Sequence, residues 1–450
     1  MSGLLAALVV CSAVSLPARA DAPGKPHVVF VLADDLGPGD LGCWGGTLAA
    51  TPNLDCMARE GIRFTRYYAA AAICSPSRCG LITGNFPARW RITSYLQTRA
   101  SNRACGQADF LDPKAPSLPR ALRSAGYATA HYGKWHLGGG RDVVDPPRFA
   151  AYGYDEHAGT WESPEPDPDI TATAWIWSDK DKVKRWDRTA FFIDKTLDFL
   201  ARHKDRPCFV NVWLDDPHTP WVPDAAAGKG DSTRKNLKAV MEENDRQIGR
   251  LRAGLKALGI ERDTLLVFTS DNGPLPTLDG ERSGGLRGSK LSLYEGGVRL
   301  PFLAVWPGRI QAGVTDDTTV LSAVDVFPTV CKLVGAALPA DLTQDGEDRS
   351  AALLGTPQPG RARPLFWEYG RNDTAFAYPI PGNGARAGDR SPNLAIRDGR
   401  WKLLVNDDGK GAELYDLSAD RAEERNLAAA LPELTATLTR RVLEWRRSLP

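Results

Sequence analysis

Four clusters of polar, chemically reactive side chains each follow a short apolar segment of the sequence. These clusters are Asp34-Asp35, Lys134-Trp135-His136, Asp216-Pro217-His218 and Asp271-Asn272-Gly273. The apolar segments before them have the pattern of buried parallel strands, and ligands bind beyond the carboxyl ends of such strands. We therefore expect the four clusters, although far apart in the chain, to meet in one crevice.

The acidic clusters suggest a metal site. Asp34, Asp35 and Asp271 would repel one another strongly in one crevice unless a cation lay between them. Their carboxylate oxygens and the amide oxygen of Asn272 are the ligands that a hard ion, Ca²⁺ or Mg²⁺, prefers. Taken singly, each cluster could be a plain turn after a strand. Because both follow strand ends, the sequence predicts a metal site.

Cys74 opens the sequence Cys-Ser-Pro-Ser-Arg, which ends at Arg78 and precedes Leu-Ile-Thr-Gly. Pro76 can begin a helix, so Cys74 would lie at a helix N-terminus, where the dipole favours negative charge. The thiol could then be a nucleophile of lowered pKa. It could equally be a small buried residue, which is the commoner fate of a single cysteine.

Short apolar strands alternate with amphipathic helices, which predicts an α/β fold with a mainly parallel sheet. The predicted strands are Val28–Ala33, Ala128–Tyr132, Cys208–Leu214, Leu265–Thr269 and Phe302–Val305. None alternates polar with apolar residues, as expected when helices cover both faces of the sheet. We predict one helix that begins at Pro52 after a Thr51 cap, and others over Lys238–Leu258 and Asp325–Val334.

The pattern changes towards the C-terminus. Two short apolar runs flank an Asp398-Gly399 turn, which predicts a hairpin, and a helix over Leu431–Arg447 follows. We therefore expect a catalytic domain over residues 21–360 and a small α+β subdomain over residues 361–450.

The N-terminal residues 1–20 resemble an export signal. Leu4–Leu16 is apolar but too short for a stable membrane anchor, and Ala18-Arg19-Ala20 offers a small-x-small cleavage site. We expect a periplasmic or extracellular protein without an integral membrane segment. The eight cysteines are widely and irregularly spaced, and some could pair in an oxidising compartment.

The overall charge argues against one class of partner. The formal net charge is +1, with no basic stripe, so the composition predicts no nucleic-acid binding.

Six motifs together resemble the type I, formylglycine-dependent sulfatases of the alkaline-phosphatase-like superfamily. The cysteine motif, Cys-x-Pro-Ser-Arg with Leu-x-Thr-Gly, is similar to the signature of that family. The other motifs, in matching order and rough spacing, are Val-Leu-Ala-Asp-Asp-Leu-Gly, Gly-Lys-Trp-His-Leu-Gly, Pro-His-Thr-Pro, Thr-Ser-Asp-Asn-Gly, and Gly-Ser-Lys ending at Lys290. The resemblance runs from about Lys25 to the C-terminal helix. It implies an alkaline-phosphatase-like α/β fold with a small C-terminal subdomain.

The resemblance also implies a nucleophile and a metal. Cys74 would be oxidised to formylglycine (3-oxoalanine) by a formylglycine-generating or anaerobic sulfatase-maturating enzyme, and the hydrated aldehyde would attack sulfur. Ca²⁺ is the usual metal of the family, and Mg²⁺ is the less favoured choice. The implied metal ligands are Asp34, Asp35, Asp271, Asn272 and the modified Cys74.

The remaining roles follow from the same resemblance. His136 would act as a base towards the second hydroxyl, and Arg78 would orient the diol. A further group would surround the sulfate oxygens and stabilise developing charge, namely Lys134, His218 and Lys290. His218, alone or with Lys290, would protonate the leaving alcohol. Without the resemblance, the lysines could be solvated surface charges and His218 a loop histidine.

The predicted reaction is hydrolysis of a sulfate ester to inorganic sulfate, with a sulfated polysaccharide or oligosaccharide as substrate. The substrate rests on Leu286–Gly308, which resembles bacterial relatives of the N-acetylgalactosamine-6-sulfatases. Two enzyme alternatives stay open, an arylsulfatase and a phosphonate or phosphate monoester hydrolase of the same superfamily. The alternative from another class is a sugar-binding pseudosulfatase.

Residues outside the motifs could contact a sugar. Asp215 and Asp216 could bind sugar hydroxyls near His218, and a structural role in a turn is as plausible. A predicted surface insertion, residues 155–187, carries several tryptophans whose faces suit sugar rings. The candidates, none of which is favoured over the others, are Trp161, Trp175, Trp177, Trp186 and Trp221.

Overall fold

A computed structural model describes residues 24–170, 178–228, 230, 233–339, 343–369 and 389–450. The predicted export signal, Trp175 and Trp177 lie outside these ranges. Within them, no helix is both long and apolar enough to cross a membrane. The seven cysteines of the described ranges are free thiols, so none of the possible pairings is found there.

The main element is a mixed, mostly parallel sheet of nine strands within the described residues. The strands are β1 His27–Ala33, β2 Ile62–Tyr68, β3 Ala128–Gly133, β4 Glu156–Gly159, β5 Cys208–Trp213, β6 Thr264–Ser270, β7 Arg299–Val305, β8 Val314–Asp316 and β9 Leu321–Ser322. Their order is β4-β3-β5-β1-β6-β7-β2-β8, with β9 beside β2. Only the pairs of β7 with β6 and with β2 are antiparallel. The predicted fold class is confirmed.

Helices cover both faces of this sheet. The helices are α1 Pro52–Glu60, α2 Cys74–Thr83, α3 Arg99–Ala104, α4 Leu118–Ser124, α5 Arg188–His203, α6 Arg234–Ala257, α7 Glu295–Val298, α8 Val326–Val334, α9 Ser350–Leu353 and α10 Pro432–Arg447. Val29 and Val31 of β1 pack in one apolar cluster with α1, α5 and α6, while Val28, Phe30 and Leu32 pack in another with α2, α4 and α8. Successive side chains of a strand point to opposite faces, so a strand covered on both sides is apolar throughout.

The strand register places the polar clusters side by side. Ala33 of β1 pairs with Ser270 of β6, and Leu32 pairs with Trp213 of β5. Trp213 in turn pairs with Gly133 of β3. Four neighbouring strands therefore end at one level, and the next residues of each enter the same crevice.

The N-terminus of α1 corrects one local prediction. Thr51 makes no capping hydrogen bond to the helix, and its hydroxyl instead donates to Asp55 Oδ1 at 3.2 Å. The buried carboxylate of Asp245 on α6 accepts from the backbone N–H groups of Asn53 and Leu54, at 3.0 and 2.8 Å. A carboxylate satisfies these N–H groups and complements the helix dipole, so a distant residue replaces the predicted cap.

Two other helices differ slightly from their predicted bounds. Helix α6 begins at Arg234, earlier than the predicted Lys238, because Thr233 caps it through its side chain. Helix α8 begins at Val326 and ends before Gly335, whose φ of 66° is left-handed, as a C-terminal glycine allows.

A second, antiparallel sheet follows in the chain. Its strands, in spatial and chain order, are β10 Leu365–Glu368, β11 Leu394–Asp398, β12 Trp401–Val405 and β13 Glu413–Asp416. The predicted hairpin is confirmed as β11 and β12, and helix α10 begins at Pro432, one position after the predicted start. The domain boundary near residue 360 stays a prediction.

A buried ion cluster joins this second sheet to the main one. Lys402 Nζ on β12 lies 2.9 Å from Glu295 Oε1 and 3.0 Å from Glu423 Oε1, and all three side chains are fully buried. Tyr68 of β2 donates to Glu295 Oε2 at 2.6 Å. Burial and the Glu295 carboxylate raise the pKa of Glu423 to about 7, although Lys402 opposes this. Lys402 is therefore the common counter-ion of two carboxylates shielded from water.

We expect Lys402→Met to lower the free energy of unfolding by about 3–5 kcal/mol, because it leaves buried carboxylates without their cation. Urea unfolding of the full chain measures this. The double variant Lys402→Met/Glu423→Gln should recover part of the loss, since one unpaired charge is gone. Lys410→Met, which removes an exposed lysine next to the same sheet, is the matched control and should unfold like the wild type. Equal stability of Lys402→Met and the control would contradict the role given to the cluster.

Candidate active site

Backbone hydrogen bonds continue past the strand ends and fix the polar clusters. The N–H of Asp34 donates to Asp216 O at 3.1 Å, and the N–H of Asp271 donates to Ala33 O at 3.1 Å. Asp35 has a left-handed φ of 64°, which turns the chain sharply after β1. Arg282 holds this turn, because its Nη2 donates to Asp35 O at 2.8 Å. The acidic side chains are thus placed by the sheet rather than by free loops.

Three cations bind the three carboxylates. Arg78 donates from Nε and Nη2 to Asp271 Oδ2, at 3.0 and 2.7 Å. Lys134 forms an ion pair with Asp34, and Lys290 Nζ lies 2.8 Å from Asp35 Oδ2. All six side chains of these pairs are fully or almost fully buried. Side-chain cations therefore meet the need for positive charge that the sequence assigned to a metal alone.

The pKa shifts agree with this pairing at Asp34 and Asp35, whereas burial and Asp34 raise the pKa of Asp271 to about 7 against Arg78 and Lys134. Burial would raise the pKa of Asp34, but Lys134, His218 and Arg78 hold it well below its ordinary value. Burial is likewise outweighed at Asp35, whose pKa Lys290 and His218 lower. Both carboxylates are therefore ionised and able to act as metal ligands.

Two oxygen atoms of this cluster are still without a partner. Asp34 Oδ1 and Asn272 Oδ1 are buried and accept no hydrogen bond. Ligand atoms of Asp34, Cys74 and Asp271 all lie within 4.8 Å of one another. Ca²⁺ binds oxygen at about 2.3–2.6 Å, so two ligands of one ion lie at most about 5 Å apart. The donor set and its spacing fit a hard divalent ion.

Cys74 is the first residue of α2, which begins after Ile73 and is buried along its whole length. The Ser77 hydroxyl donates to Asp271 O, and the Ser75 hydroxyl accepts from the N–H of Leu96 at 3.0 Å, so the helix start is fixed on both sides. Burial raises the pKa of the Cys74 thiol despite Lys134 and Lys290 nearby. The structure therefore argues against the thiolate nucleophile that the helix N-terminus suggested.

A cavity of about 210 Å³ opens onto Cys74. The residues that line it include five that the sequence analysis predicted to be catalytic, namely Cys74, Lys134, His136, His218 and Lys290. Together with the contacts above, the ten predicted site residues form one connected group. Their chemical roles stay predictions.

The hydrogen bonds of His218 define its tautomer. Nδ1 lies 2.7 Å from Thr219 O, and a carbonyl oxygen can only accept, so Nδ1 carries a proton. Nε2 lies 3.1 Å from Lys290 Nζ and accepts from it. Burial, aided by Lys290, lowers the pKa of His218 to about 4, so the ring is neutral. Although burial opposes it, Asp35 raises the pKa of Lys290 well above its ordinary value, so Lys290 keeps its charge while it donates to Nε2.

His136 is held in a strained conformation beside a carboxylate that the sequence did not single out. Its φ is 55°, and its N–H donates to Glu162 O at 3.0 Å. Nε2 lies 3.3 Å from Glu162 Oε2. Burial and Lys134 hold the pKa of His136 well below its ordinary value, so the ring is neutral in the resting site.

The cavity lining also contains residues that sequence reasoning missed, namely Ile73, Tyr95, Arg141 and Glu162. Arg141 directly follows the glycines after Gly-Lys-Trp-His-Leu, so its position after that motif was a usable signal. Glu162 lies in the predicted insertion, where no pattern distinguished it from its acidic neighbours.

Asp215 and Asp216 have the structural role that the sequence left open. Asp215 accepts from Arg188 Nη1 at 2.8 Å, and Asp216 lies 2.6 Å from Arg185 Nη2. These pairs are buried next to the site and do not leave the carboxylates available to a sugar. Trp221 is also structural, since it is fully buried and donates to Pro217 O.

Comparison with known proteins gives consistent results over nearly the whole chain. A family model described as Sulfatase matches residues 26–336, and one described as N-sulphoglucosamine sulphohydrolase, C-terminal, matches residues 289–448. Human arylsulfatase A is 32% identical, with 97% of this chain and 89% of that protein covered. The N-acetylgalactosamine-6-O-sulfatase of Bacteroides thetaiotaomicron is 29% identical, with 92% of each covered. A solved structure from work on glycosaminoglycan metabolism by that bacterium has a TM-score of 0.75 and 25% identity, covering 94% of this chain and 100% of that one.

We expect Ca²⁺ to raise the melting temperature of the wild type, because an ion bound only to the native state adds stability, about 2.7 kcal/mol at a hundred times its Kd. Asp271→Asn keeps the shape and an acceptor for Arg78 but removes one charge, so the rise should shrink greatly. Asp345→Asn breaks a comparable pair with Arg89 away from the site, and this control should keep the rise. Thermal unfolding scans with calcium and with a chelator measure this rise in melting temperature for the wild type and both variants. An undiminished rise in Asp271→Asn would exclude that residue as a ligand.

Proposed function

Because the chain belongs to the sulfatase family and is a sulfuric ester hydrolase, we propose that it releases sulfate from a sulfated carbohydrate, with Cys74 as the precursor of a formylglycine nucleophile. One observation carries this proposal. The thiol of Cys74 lies within 4.8 Å of ligand atoms of Asp34 and Asp271, and Cys74 lines the same cavity as Lys134, His136, His218 and Lys290.

The modification explains the environment of Cys74. A thiol whose pKa is raised by burial is a poor nucleophile at neutral pH. Oxidation to the aldehyde by a formylglycine-generating or anaerobic maturating enzyme, followed by hydration, supplies a hydroxyl that attacks sulfur. Arg78 can orient this group, because three hydrogen bonds to Asp271 and Lys134 fix its guanidinium.

The proposed metal is Ca²⁺, held by the carboxylates of Asp34, Asp35 and Asp271, by Asn272 and by the modified residue 74. Bound there, it would lower the pKa of the attacking hydroxyl and withdraw charge from the sulfate oxygens. Asp34 Oδ1 and Asn272 Oδ1, the two acceptors without partners, support this assignment.

The other residues that line the cavity have separate proposed catalytic roles. Lys134 and Lys290 are positively charged in the resting site, next to the sulfate, and stabilise the negative charge that grows on its oxygens. His136 is neutral and accepts the proton of the second hydroxyl, which allows the covalent sulfate to leave. The departing alcohol receives its proton from Nε2 of His218, which takes it from the Lys290 ammonium to which it is hydrogen-bonded in the resting site. Water then returns a proton to Lys290 before the next turnover.

The proposed substrate is a sulfated sugar. Similarity to the N-acetylgalactosamine-6-O-sulfatase of Bacteroides thetaiotaomicron, together with the resemblance of Leu286–Gly308 to such enzymes, supports a sugar 6-sulfate. The similarity to arylsulfatase A keeps an aryl sulfate as the alternative substrate. We also propose export to the periplasm or the outside of the cell, where such polymers occur. The proposal rests on the pattern of residues 1–20.

Cys74→Ala should abolish turnover, because alanine cannot be converted to an aldehyde. Mass spectrometry of the wild-type peptide, from a host with a maturating enzyme, should show the mass loss that replacement of a thiol by an aldehyde requires. Cys79→Ala, in the same helix and equally buried, is the matched control and should keep both the modification and most activity. Turnover in Cys74→Ala, or an unmodified Cys74 in active protein, would refute the nucleophile.

His218→Ala tests the leaving-group role. A sugar alkoxide is a strong base and needs a proton, whereas an activated phenol leaves with little help. General acid catalysis contributes about 10² to 10⁴-fold, so kcat on a sugar sulfate should fall by that factor more than kcat on an activated aryl sulfate. Equal losses on the two substrates would show that His218 only binds sulfate, and Lys290 would then be the acid by itself.

A further inference from the structure

The cavity above Cys74 has a second half that the proposed reaction does not use, formed by Tyr95, Arg141 and Glu162. We propose that Arg141 is a specificity-determining residue, which donates a hydrogen bond to a neutral oxygen on the sugar ring that carries the sulfate. The inference rests on the proposed function, because it names what the alcohol side of the substrate must offer.

Arg141 is bound on one edge only. Its Nε and Nη2 donate to Glu162 Oε1, at 3.2 and 2.9 Å. The guanidinium carbon lies 5.7 Å from the ring centroid of Trp161. The side chain of Arg141 is 31% exposed, while that of Glu162 is only 8% exposed. The remaining edge of the guanidinium, with Nη1, is therefore the part that a ligand can reach.

Packing and hydrogen bonds fix the backbone around Arg141. Gly138, Gly139 and Gly140 all have left-handed φ angles, and a Cβ on Gly139 would lie 2.2 Å from Ser163 O. Asp142 accepts from the N–H of Arg99 at 2.9 Å. Because the loop is packed on one side and bonded on the other, it presents a guanidinium at a fixed place, which lowers the entropic cost of binding.

The charge balance between Arg141 and Glu162 indicates whether Arg141 binds a neutral or an anionic group of the substrate. Glu162 already neutralises its positive charge, and Glu162 is buried. An anionic group of the substrate would gain little from a guanidinium that a carboxylate has neutralised. A neutral acceptor gains a full hydrogen bond and adds no charge to the cavity. We therefore expect a ring hydroxyl or an acetamido carbonyl, and the substrates below distinguish the two.

The size of the cavity limits the contact to one sugar. Its volume of about 210 Å³ is below the roughly 300–1,000 Å³ of pockets that enclose drug-sized ligands. A single sulfated ring fills such a space, so the oxygen that meets Arg141 belongs to the same ring as the scissile ester.

Arg141→Met tests the proposal, because it keeps the length of the side chain and removes its donors. We expect kcat/KM on N-acetylgalactosamine 6-sulfate to fall about 10- to 100-fold, as for loss of a charged hydrogen bond, and to change little on nitrocatechol sulfate, which lacks a sugar. Galactose 6-sulfate distinguishes the acceptors. A loss shared with galactose 6-sulfate identifies a hydroxyl, and a loss confined to the acetamido sugar identifies the carbonyl.

Arg148→Met is the matched control. Arg148 follows the same loop but its side chain is 83% exposed and does not line the cavity, so its variant should behave like the wild type on all three esters. Equal losses on sugar and aryl esters in Arg141→Met would overturn the proposal. They would show that Arg141 acts only through Glu162 on His136.

A binding measurement separates this inference from the proposed function. In the Cys74→Ala background, which has no nucleophile, calorimetry with N-acetylgalactosamine 6-sulfate and with inorganic sulfate needs no turnover. Adding Arg141→Met should weaken the binding of N-acetylgalactosamine 6-sulfate and leave the binding of inorganic sulfate unchanged. If Cys74→Ala and Cys74→Ala/Arg141→Met bind the sugar sulfate with equal affinity, the inference is overturned. Failure of the wild type to hydrolyse any sulfated sugar would refute the proposed function, while the binding result would still decide the role of Arg141.

Discussion

Charge neutrality in a space without bulk water is the constraint on which this site depends. Three buried carboxylates face three buried cations, and an uncompensated ion there would cost several kcal/mol. Without a bound ion or substrate, the charges of these three ion pairs therefore sum to zero when all six groups are ionised. The proposed divalent ion would add two positive charges, and a sulfate monoester would add one negative charge. The loaded site would keep one net positive charge, which favours the negative charge that grows as the ester bond breaks.

The sheet provides the precision that this balance requires. The cations and carboxylates come from residues after β1, β3 and β6, from α2, and from the segment before β7. The N–H groups of Lys134 and Asp271 donate to the ends of neighbouring strands, at Trp213 O and Ala33 O. Parallel strands of similar length end at one level, so their first loop residues are placed by the same ladder that holds the sheet together. Displacement of one strand by one residue would reverse the direction of these side chains and separate each charge from its partner.

The sequence predicted the features whose cause is local. Strands covered on both faces are apolar throughout, so β1, β3, β5 and β6 could be predicted. The side chains that follow them lie within motifs, so ten residues that the structure brings together could be named in advance, while their roles stay predictions. Sequence-based prediction failed where a residue distant in the chain determines the local structure. The N-terminus of α1 is capped by Asp245 instead of Thr51, because that carboxylate reaches it through tertiary packing. Strand β2 alternates polar and apolar residues and was missed, as were Arg141 and Glu162, whose pairing joins a loop to an insertion.

The two halves of the cavity differ in how they are built. Strand ends form the half around Cys74, where any sulfate ester presents the same charged group. Loops form the half around Arg141, where substrates differ. Glu162 belongs to both, because its backbone oxygen accepts from His136 and its carboxylate holds Arg141. Arg141, the proposed sugar contact, is therefore fixed relative to His136, the proposed base. Changes in the loop can alter which sugar fits, but only changes that keep Glu162 in place leave the reacting groups aligned.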